Sequence, residues 1–244
     1  MKTLEYSLCF TENTVSDIAV PAVIVAAGSS TRMKGINKPF ATVGGIPVIA
    51  RTLLAFERSP YISGIVLVTK PDFVPDMQKI CEEYMISKVT DIVAGGENRA
   101  ASVLCGINCL KGAKKALVHD GARPLVSQAL IERVCKEIAN EKCVICGVKV
   151  KDTIKKVGES GYVKETYNRD ELFCVQTPQG VDVEEYLPLL EGQSVAAFTD
   201  DASVFEAAGV PVKTVEGEYT NIKITTPEDI ALAQYYISEM GENV

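Results

Sequence analysis

Two cations follow a run of small residues near the start of this chain. Residues 23–40, VIVAAGSSTRMKGINKPF, open with an apolar stretch, continue with Ala26 to Ser30, and then carry Arg32 and Lys38. Small residues let a ligand touch the backbone, whose N–H groups bind oxyanions, and Arg and Lys neutralise polyphosphates. The segment has neither the G-x-G-x-x-G pattern of dinucleotide sites nor the G-x-x-x-x-G-K-[ST] pattern of P-loops. It therefore predicts an anion site of another kind.

Cysteine and histidine offer a second kind of chemistry, which we consider and set aside. Cys143 and Cys146 form a C-x-x-C, a spacing that can serve a redox couple or half of a zinc site. They lie in a β-branched run, and residues three apart on a strand point to opposite faces. The chain has no second C-x-x-C, and His119 is its single histidine. We therefore predict that the eight cysteines are reduced, buried thiols.

The charged residues need a scaffold, and the chain alternates short apolar runs with helical patterns. The predicted strands lack strict alternation, as expected when both faces of a sheet are covered. They are AVIVAA (22–27), GIVLVT (64–69), KALVHD (115–120) and CVICGVKV (143–150). The predicted helices between them lie in residues 46–59, 73–85, 98–110 and 127–141. This order predicts an α/β fold with a mostly parallel sheet and flanking helices, whose carboxyl edge binds ligands.

The chain departs from this pattern after residue 150. Residues 151–179 alternate apolar and polar side chains around a turn between two glycines, which predicts a β-hairpin that protrudes from the sheet. We find no internal repeat and no linker. We therefore predict a single domain over residues 1–244, with an N-terminal extension at 1–20 and an arm at 151–175.

Two helices with recognisable ends follow the predicted hairpin. The first has Thr199 as its predicted N-cap and Gly209 as its predicted stop. The second has Thr226 as N-cap, Pro227 at its first position, and two acids in its first turn.

Composition excludes several classes of protein. The net charge of -7 and the isoelectric point near 5.0 argue against nucleic acid as a partner. The first twenty residues contain acids and no continuous apolar stretch, so they do not resemble a secretory signal. No window approaches eighteen uncharged apolar residues, so we expect no membrane span and a cytoplasmic location.

Six segments of the chain, taken together, resemble one enzyme family. The opening segment is similar to the nucleotidyltransferase signature A-[AG]-G-x-[GS]-x-R-M followed by a lysine. Over roughly residues 20–237 the chain resembles the 2-C-methyl-D-erythritol 4-phosphate cytidylyltransferase family. The other segments that carry this resemblance are GGENRAASV (95–103), VHDGARP (118–124), KDTIKK (151–156), NRDELFCVQTPQ (168–179), and TDDASVFEAAG leading to NIKITTPEDIALA.

The resemblance implies a Rossmann-like nucleotidyltransferase fold and a transfer of CMP from CTP to a polyol phosphate, methylerythritol phosphate. It assigns Arg32 and Lys38 to the triphosphate, where they stabilise charge on the α-phosphate and the leaving pyrophosphate. It places Asp120 at the nucleotide and its Mg²⁺ ion, and a carboxylate beside phosphates is a reasonable ligand for that ion. The alternative is a strand-end Asp that caps the next turn. The residues that would hold cytosine and ribose are Ala26, Ala27, Gly28, Gly96 and Ser102.

The same resemblance assigns Thr153, Arg169 and Lys223 to the acceptor, with Arg169 and Lys223 among the catalytic cations. In this family the arm pairs with a second subunit, which implies a homodimer whose partner's site is completed by Thr153 and Arg169. Taken singly, each of the three has a simpler explanation as a β-former, a turn cation or an exposed strand residue. Arg123 is either a salt-bridge residue or a substrate contact, and we favour the salt bridge.

The chain departs from the family pattern at three positions. Pro39 follows Lys38 where glutamine is usual, Gly121 replaces a usual alanine, and Ala101 replaces a common aspartate. The nearest alternative function is ribitol 5-phosphate cytidylyltransferase, which shares most motifs but tends to have S-x-R-P where this chain has GARP. A non-catalytic nucleotide-binding module is the second alternative, and retention of the charged residues on both sides of the α-phosphate argues against it. An NAD-dependent oxidoreductase would need the absent glycine fingerprint.

Overall fold

The computed structural model describes residues 18–28, 37–110, 112–190 and 198–241. Its strands are β1 (Val20–Val25), β2 (Thr42–Val43), β3 (Ile46–Pro47), β4 (Ile62–Thr69), β5 (Val89–Ala94), β6 (Lys115–Asp120), β7 (Cys143–Lys149), β8 (Lys155–Val157), β9 (Val163–Thr166), β10 (Phe173–Asp182) and β11 (Lys213–Glu216). Its helices are α1 (Val48–Glu57), α2 (Val74–Glu83), α3 (Arg99–Ile107), α4 (Gln128–Ile138), α5 (Val183–Leu190), α6 (Ala202–Ala207) and α7 (Pro227–Met240). No helix in these ranges combines the length and the apolar character of a bilayer-spanning segment.

A seven-stranded sheet organises the molecule, in the order β11-β7-β10-β6-β1-β4-β5. Strand β10 runs antiparallel to both of its neighbours, β6 and β7, and the other adjacent pairs are parallel. The predicted mostly parallel α/β sheet with flanking helices is therefore confirmed. The four predicted strands correspond to β1, β4, β6 and β7.

The predicted hairpin over residues 151–179 is wrong in its second half. Only β8 and β9 form an antiparallel pair outside the sheet, and residues 173–182 return to the sheet centre as β10. The sequence misleads here because β10 buries polar side chains: Gln176, Thr177 and Gln179 are 8%, 4% and 1% exposed. Each is hydrogen-bonded, so a polar strand is tolerated inside the protein.

Two strands have no apolar run that would have predicted them. Strands β5 and β11 lie at the two edges of the sheet, and their residues are exposed or only partly buried. An edge strand covered on one face needs fewer apolar side chains than a central one, so its sequence carries a weaker signal.

The core has one layer on each face of the sheet, and β1 supplies both. Ala22 and Ile24 pack with residues of α1, α2 and α4 on one face, whereas Val23 packs with residues of α3, α5 and α6 on the other. A strand buried on both faces has no polar positions, which explains the continuous apolar run. A third, smaller cluster joins β2, α1 and α7.

The C-x-x-C cysteines are structural, as predicted. Cys143 packs in the layer with α5 and α6, and Cys146 packs in the layer with α1 and α4, on the opposite face. Burial raises the pKa of the Cys146 thiol to about 12 and also raises that of Cys143. The prediction of buried thiols is wrong for Cys174, which is exposed, and only partly right for Cys81, Cys105 and Cys109, which are half-buried. Cys9 lies outside the described residues.

Two of the predicted helix ends are confirmed and one is wrong. Thr226 and Asp229 form a capping box at the start of α7, as predicted for this N-cap. Gly209 follows α6 with φ +72, the left-handed conformation that suits glycine at a helix stop. Thr199 is not an N-cap, because α6 begins at Ala202. The turn before α6 is closed by the Asp200 carboxylate, which accepts the Ser203 N–H at 3.0 Å.

Gly106 sets how closely α3 approaches the sheet. A Cβ at this position would lie 2.4 Å from Val23 Cγ1 and 2.8 Å from Val68 Cγ2, both in the core. Ala is a better helix former than Gly by about 1 kcal/mol, but forcing a methyl group into a packed core costs about 1–3 kcal/mol. We expect Gly106→Ala to lower the free energy of unfolding by about 1–2 kcal/mol in urea denaturation.

Gly64→Ala is the matched control for this prediction. A Cβ at Gly64 would meet its nearest atom, Thr90 Cγ2, at an ordinary 3.6 Å. This variant should leave the free energy of unfolding unchanged or raise it by up to about 1 kcal/mol, because alanine restricts the unfolded chain. Equal effects of the two substitutions would contradict the steric argument.

Candidate active site

A cavity of about 420 Å³ opens at the carboxyl ends of the parallel strands. Its walls come from the segments that follow β1, β5 and β6, from the turn at Lys38, and from the segment before α7. This is the position at which doubly wound sheets bind ligands. The sequence-predicted site residues that line it are Ala26, Ala27, Gly28, Lys38, Gly96, Ser102, Asp120 and Lys223.

One wall of the cavity is backbone. A Cβ at Gly95 would lie 2.5 Å from Ala27 Cβ, and a Cβ at Gly96 would lie 2.5 Å from Ala101 Cβ, so both positions require glycine. The Ser102 hydroxyl accepts the Gly96 N–H at 3.1 Å and donates to the Asn98 carbonyl at 2.8 Å. Ser102 therefore shapes the loop that forms this wall of the cavity.

Asp120 occupies the end of β6 and is almost buried, with 7% of its surface exposed. Three cations surround its carboxylate. Lys223 Nζ lies 2.7 Å from Oδ2, Arg99 Nε lies 3.3 Å from Oδ1, and Arg123 Nε lies 3.8 Å from Oδ2. The carboxylate thus fixes basic side chains that come from three distant parts of the sequence.

The predicted site omits Arg99, which lines the cavity and joins two carboxylates. Its Nη2 lies 2.8 Å from Asp201 Oδ2, and Asp201 also accepts the Tyr186 hydroxyl at 3.0 Å. Arg99 is the first residue of α3, where a positive charge opposes the helix dipole. An arginine at this unfavourable position is a signal in the sequence that an acidic side chain elsewhere pairs with it.

The cluster carries an excess of positive charge. Burial alone raises the pKa of Asp120, but Arg99, Lys223 and Arg123 outweigh burial and hold it well below its usual range. Burial alone lowers the pKa of Arg99, but Asp201 and Asp120 raise it above its ordinary value. Three cations therefore face two carboxylates beside a cavity that Lys38 also lines. Such a surface is suited to a polyanion.

Lys38 is positioned by the two residues after it. Lys38, Pro39 and Phe40 form a short 3-10 helix with a buried proline at its second position. The Phe40 ring packs edge-to-face on Phe73, with ring centroids 5.1 Å apart. Pro39, which replaces the usual glutamine, therefore supports this turn by packing and by its fixed φ angle.

Backbone contacts hold Lys223 and Arg123 near Asp120. The Ile224 N–H donates to the Ala122 carbonyl at 2.8 Å, which joins the segment before α7 to the turn after β6. Arg123 is 9% exposed and donates from Nη1 to the Asn221 carbonyl at 2.7 Å. These contacts favour the structural role for Arg123 over a substrate contact.

Two predicted site residues, Thr153 and Arg169, are not assembled with the others. Thr153 and Arg169 are exposed, do not line the cavity, and belong to the segments flanking the β8–β9 hairpin. Arg169 Nη1 donates to the Lys151 carbonyl at 3.1 Å, which fixes it at the hairpin base. Arg32 lies outside the described residues.

The cavity offers few ligands for a metal ion. Asp120 and the exposed Glu97 are its lining carboxylates, and the described residues contain no group of three or more His, Cys, Asp or Glu that could hold a metal. Mg²⁺ commonly binds one or two carboxylates together with substrate phosphates. Arg99 Nε lies 3.3 Å from Asp120 Oδ1, and a carboxylate oxygen has a further lone pair that such an ion could use.

The ion pairs of Asp120 predict a pH-dependent contribution to stability. We expect Asp120→Asn to lower the free energy of unfolding by about 3 kcal/mol at neutral pH, because it leaves buried cations unpaired. The pKa of Asp120 is lower in the folded protein than in the unfolded chain, so its contribution is complete at neutral pH and is lost as the pH falls. The difference between variant and wild type should therefore shrink below about pH 5.

Urea denaturation at several pH values measures this difference. The exposed Asp91→Asn is the control, and it should change the free energy of unfolding little at any pH. A difference for Asp120→Asn that does not vary between neutral and acidic pH would contradict the ion-pair account.

Comparisons with known proteins agree with this geometry. The family model described as 2-C-methyl-D-erythritol 4-phosphate cytidylyltransferase matches residues 20–239. A protein of that name from Clostridium novyi (strain NT) is 42% identical over 220 residues, covering 87% of this chain and 94% of that protein. One from Halalkalibacterium halodurans is 40% identical over 221 residues, covering 89% and 96%.

Solved structures give the same result. The 4-diphosphocytidyl-2C-methyl-D-erythritol synthase of Anaerococcus prevotii superposes with a TM-score of 0.80 at 33% identity, over 93% of this chain and 99% of that one. The 2-C-methyl-D-erythritol 4-phosphate cytidylyltransferase of Thermus thermophilus gives a TM-score of 0.72 at 29% identity, over 89% and 98%. The chain therefore belongs to the 2-C-methyl-D-erythritol 4-phosphate cytidylyltransferase family.

Proposed function

We propose that this chain transfers CMP from CTP to 2-C-methyl-D-erythritol 4-phosphate, releasing pyrophosphate. The observation that carries the proposal is one cavity that is lined both by the small residues after β1 and β5 and by two lysines, Lys38 and Lys223. The acceptor phosphate oxygen forms a bond to the α-phosphorus of CTP, and the bond from that phosphorus to the bridging oxygen of pyrophosphate breaks. No proton needs to be removed from the attacking phosphate oxygen.

The nucleotide occupies the wall built from the segments after β1 and β5. The close approach of Gly95 and Gly96 to their neighbours leaves main-chain groups rather than side chains to face the base. A pyrimidine suits such a wall better than a larger purine does. Lys38, with Arg32, would balance negative charge as it moves toward pyrophosphate, which is the main task of a protein in this kind of transfer.

The acceptor phosphate lies on the side of Lys223 in this proposal. Lys223 is held by Asp120 at 2.7 Å, so its ammonium group is fixed before any substrate arrives. A fixed cation reduces the entropy lost when the acceptor phosphate is aligned for in-line attack.

A Mg²⁺ ion is part of the proposal, with Asp120 as the residue that would hold it beside the nucleotide phosphates. When bound, the ion would neutralise phosphate charge and favour departure of pyrophosphate.

We also propose that the enzyme is a homodimer whose arms, now bounded at residues 151–172 because β10 begins at Phe173, each complete the other subunit's site. Thr153 and Arg169 lie away from the cavity of their own chain, although the resemblance assigns them to the acceptor. The hairpin of the arm also exposes apolar side chains: Val157 is 56% exposed, Tyr162 79% and Val163 55%. Two strands alone are marginally stable in water, and a partner surface would cover them.

Pyrophosphate release from purified protein, CTP and Mg²⁺ tests the function directly. Methylerythritol phosphate and ribitol 5-phosphate are supplied in separate reactions. We expect release with the first acceptor. Faster release with the second would establish the alternative enzyme, and tight CTP binding without release would establish a non-catalytic module.

Lys38 and Lys223 should differ in their kinetic effects. Lys38→Ala should lower kcat by about 10²–10³, the scale for losing one electrostatic stabiliser of a transition state. Lys223→Ala should raise the KM for the acceptor and leave the KM for CTP nearly unchanged. Lys79→Ala, which alters an exposed lysine of α2, is the control and should retain wild-type constants. A weaker CTP affinity with an unchanged acceptor KM in Lys223→Ala would show that the two sites are exchanged.

A mixing experiment tests the shared site. Lys38→Ala and Arg169→Ala homodimers should each have low activity. Random mixed dimers contain one site with both residues intact, so co-expression should recover about a quarter of wild-type activity. No recovery, or a fully active monomer by light scattering, would contradict the exchange of arms.

A further inference from the structure

The turn from Asp120 to Arg123 carries two of the charged groups at the cavity edge. The Arg123 N–H donates to the Asp120 carbonyl at 3.0 Å, which closes the turn. Asp120 then holds Lys223, and Arg123 holds the Asn221 carbonyl at 2.7 Å. A small displacement of this turn would therefore move the cations that depend on it.

Two buried side chains form hydrogen bonds with the main chain at the two ends of this turn. The Thr177 hydroxyl oxygen accepts the Asp120 N–H at 3.0 Å. His119 Nε2 lies 3.3 Å from the Arg123 carbonyl oxygen, and His119 Nδ1 lies 3.1 Å from the Thr177 hydroxyl oxygen. These contacts form one continuous series of hydrogen bonds. It runs from the Arg123 carbonyl through the His119 imidazole and the Thr177 hydroxyl to the Asp120 N–H.

For a neutral imidazole, only one arrangement of hydrogens satisfies all of these contacts. A carbonyl oxygen can only accept, so Nε2 of His119 must carry a hydrogen and donate it to Arg123. Nδ1 of the neutral ring then accepts, and the Thr177 hydroxyl donates to it. The hydroxyl oxygen remains free to accept the Asp120 N–H. The Thr177 hydroxyl therefore donates one hydrogen bond and accepts another. If the ring carried a second hydrogen, on Nδ1, the hydrogen of the Thr177 hydroxyl would lose its acceptor.

The surroundings hold the ring in one orientation. His119 is fully buried, Thr177 is 4% exposed, and the imidazole packs on Phe56 with ring centroids 4.9 Å apart. His119 does not line the cavity, so it acts on the site by position.

We propose that His119 and Thr177 are positioning residues for the reaction. Through the main chain they fix Asp120 and Arg123, and through Asp120 they place the Lys223 ammonium that faces the acceptor. The inference rests on the proposed function for its kinetic consequences, whereas the hydrogen-bond arrangement stands independently of it.

The arrangement can be measured on the full, untagged chain, because His119 is its only histidine. Protein labelled with ¹⁵N-histidine should show a protonated Nε2 and an unprotonated Nδ1 at neutral pH, as the two ring contacts require. Amide hydrogen exchange at Asp120 should be slow in wild type and faster in Thr177→Val. A hydrogen on Nδ1 in place of Nε2 would overturn the proposal.

Kinetics test the consequence, and Thr177→Val is the principal variant. It removes the hydroxyl at nearly constant volume and should raise the KM for the acceptor about tenfold, with a much smaller change in the KM for CTP. Thr177→Ser keeps the hydroxyl and should recover most of the loss. The effects of Thr177→Val and Lys223→Ala should not be additive, because the first acts partly through the second.

Thr69→Val is the matched control. Thr69 is also a buried threonine at the end of a strand of the sheet, and its hydroxyl has no hydrogen-bond partner among the described residues. This variant should keep wild-type constants. Equal losses in Thr69→Val and Thr177→Val, or unchanged acceptor kinetics in Thr177→Val, would overturn the positioning role.

The two proposals fail in different ways. If wild type releases no pyrophosphate, the proposed function is wrong and amide exchange decides the positioning role. Faster exchange at Asp120 and Arg123 in Thr177→Val, reversed in Thr177→Ser, would then support it, and unchanged exchange would overturn it.

Discussion

The site depends on a nearly buried carboxylate, Asp120, at the carboxyl end of a central strand. A buried charge is tolerated only when it is paired, and here three cations from different parts of the chain provide that pairing. The same contacts prevent those cations from taking up other positions. The same ion pairs therefore stabilise the buried charge and organise the site, because two of the cations that neutralise Asp120, Arg99 and Lys223, also line the cavity.

The sheet makes this arrangement possible through one unusual strand. Strand β10 lies between β6 and β7, antiparallel to both, and it brings buried polar side chains beside the end of β6. Thr177 thereby reaches the Asp120 N–H, and Gln176 reaches the segment that leads to Lys223. An apolar strand in this place would fill the core equally well but would leave the turn after β6 without side-chain support.

Much of the scaffold could be predicted because central strands and capped helices have local signals. Strands β1, β4, β6 and β7 are buried on both faces, and α7 carries its capping box within four residues. The residues that line the cavity could also be predicted from the sequence, since they follow apolar runs in motifs that resemble a family. Strand β10 was not, because burial of its polar residues depends on partners such as Asn221 and Asp200 that are distant in sequence. The pairing of Arg99 with Asp201 could not be predicted from local sequence either, because the two residues are 102 positions apart.

These failures share a physical cause with the site itself. A polar group enters the interior only where the fold supplies a complementary group, and that complement comes from tertiary contacts rather than from neighbours in sequence. Misassigned strand β10 and overlooked Arg99 are both members of the buried polar network around Asp120. These two features, which local sequence rules missed, therefore meet at the carboxylate on the edge of the cavity. That convergence is an argument for function that is independent of family resemblance.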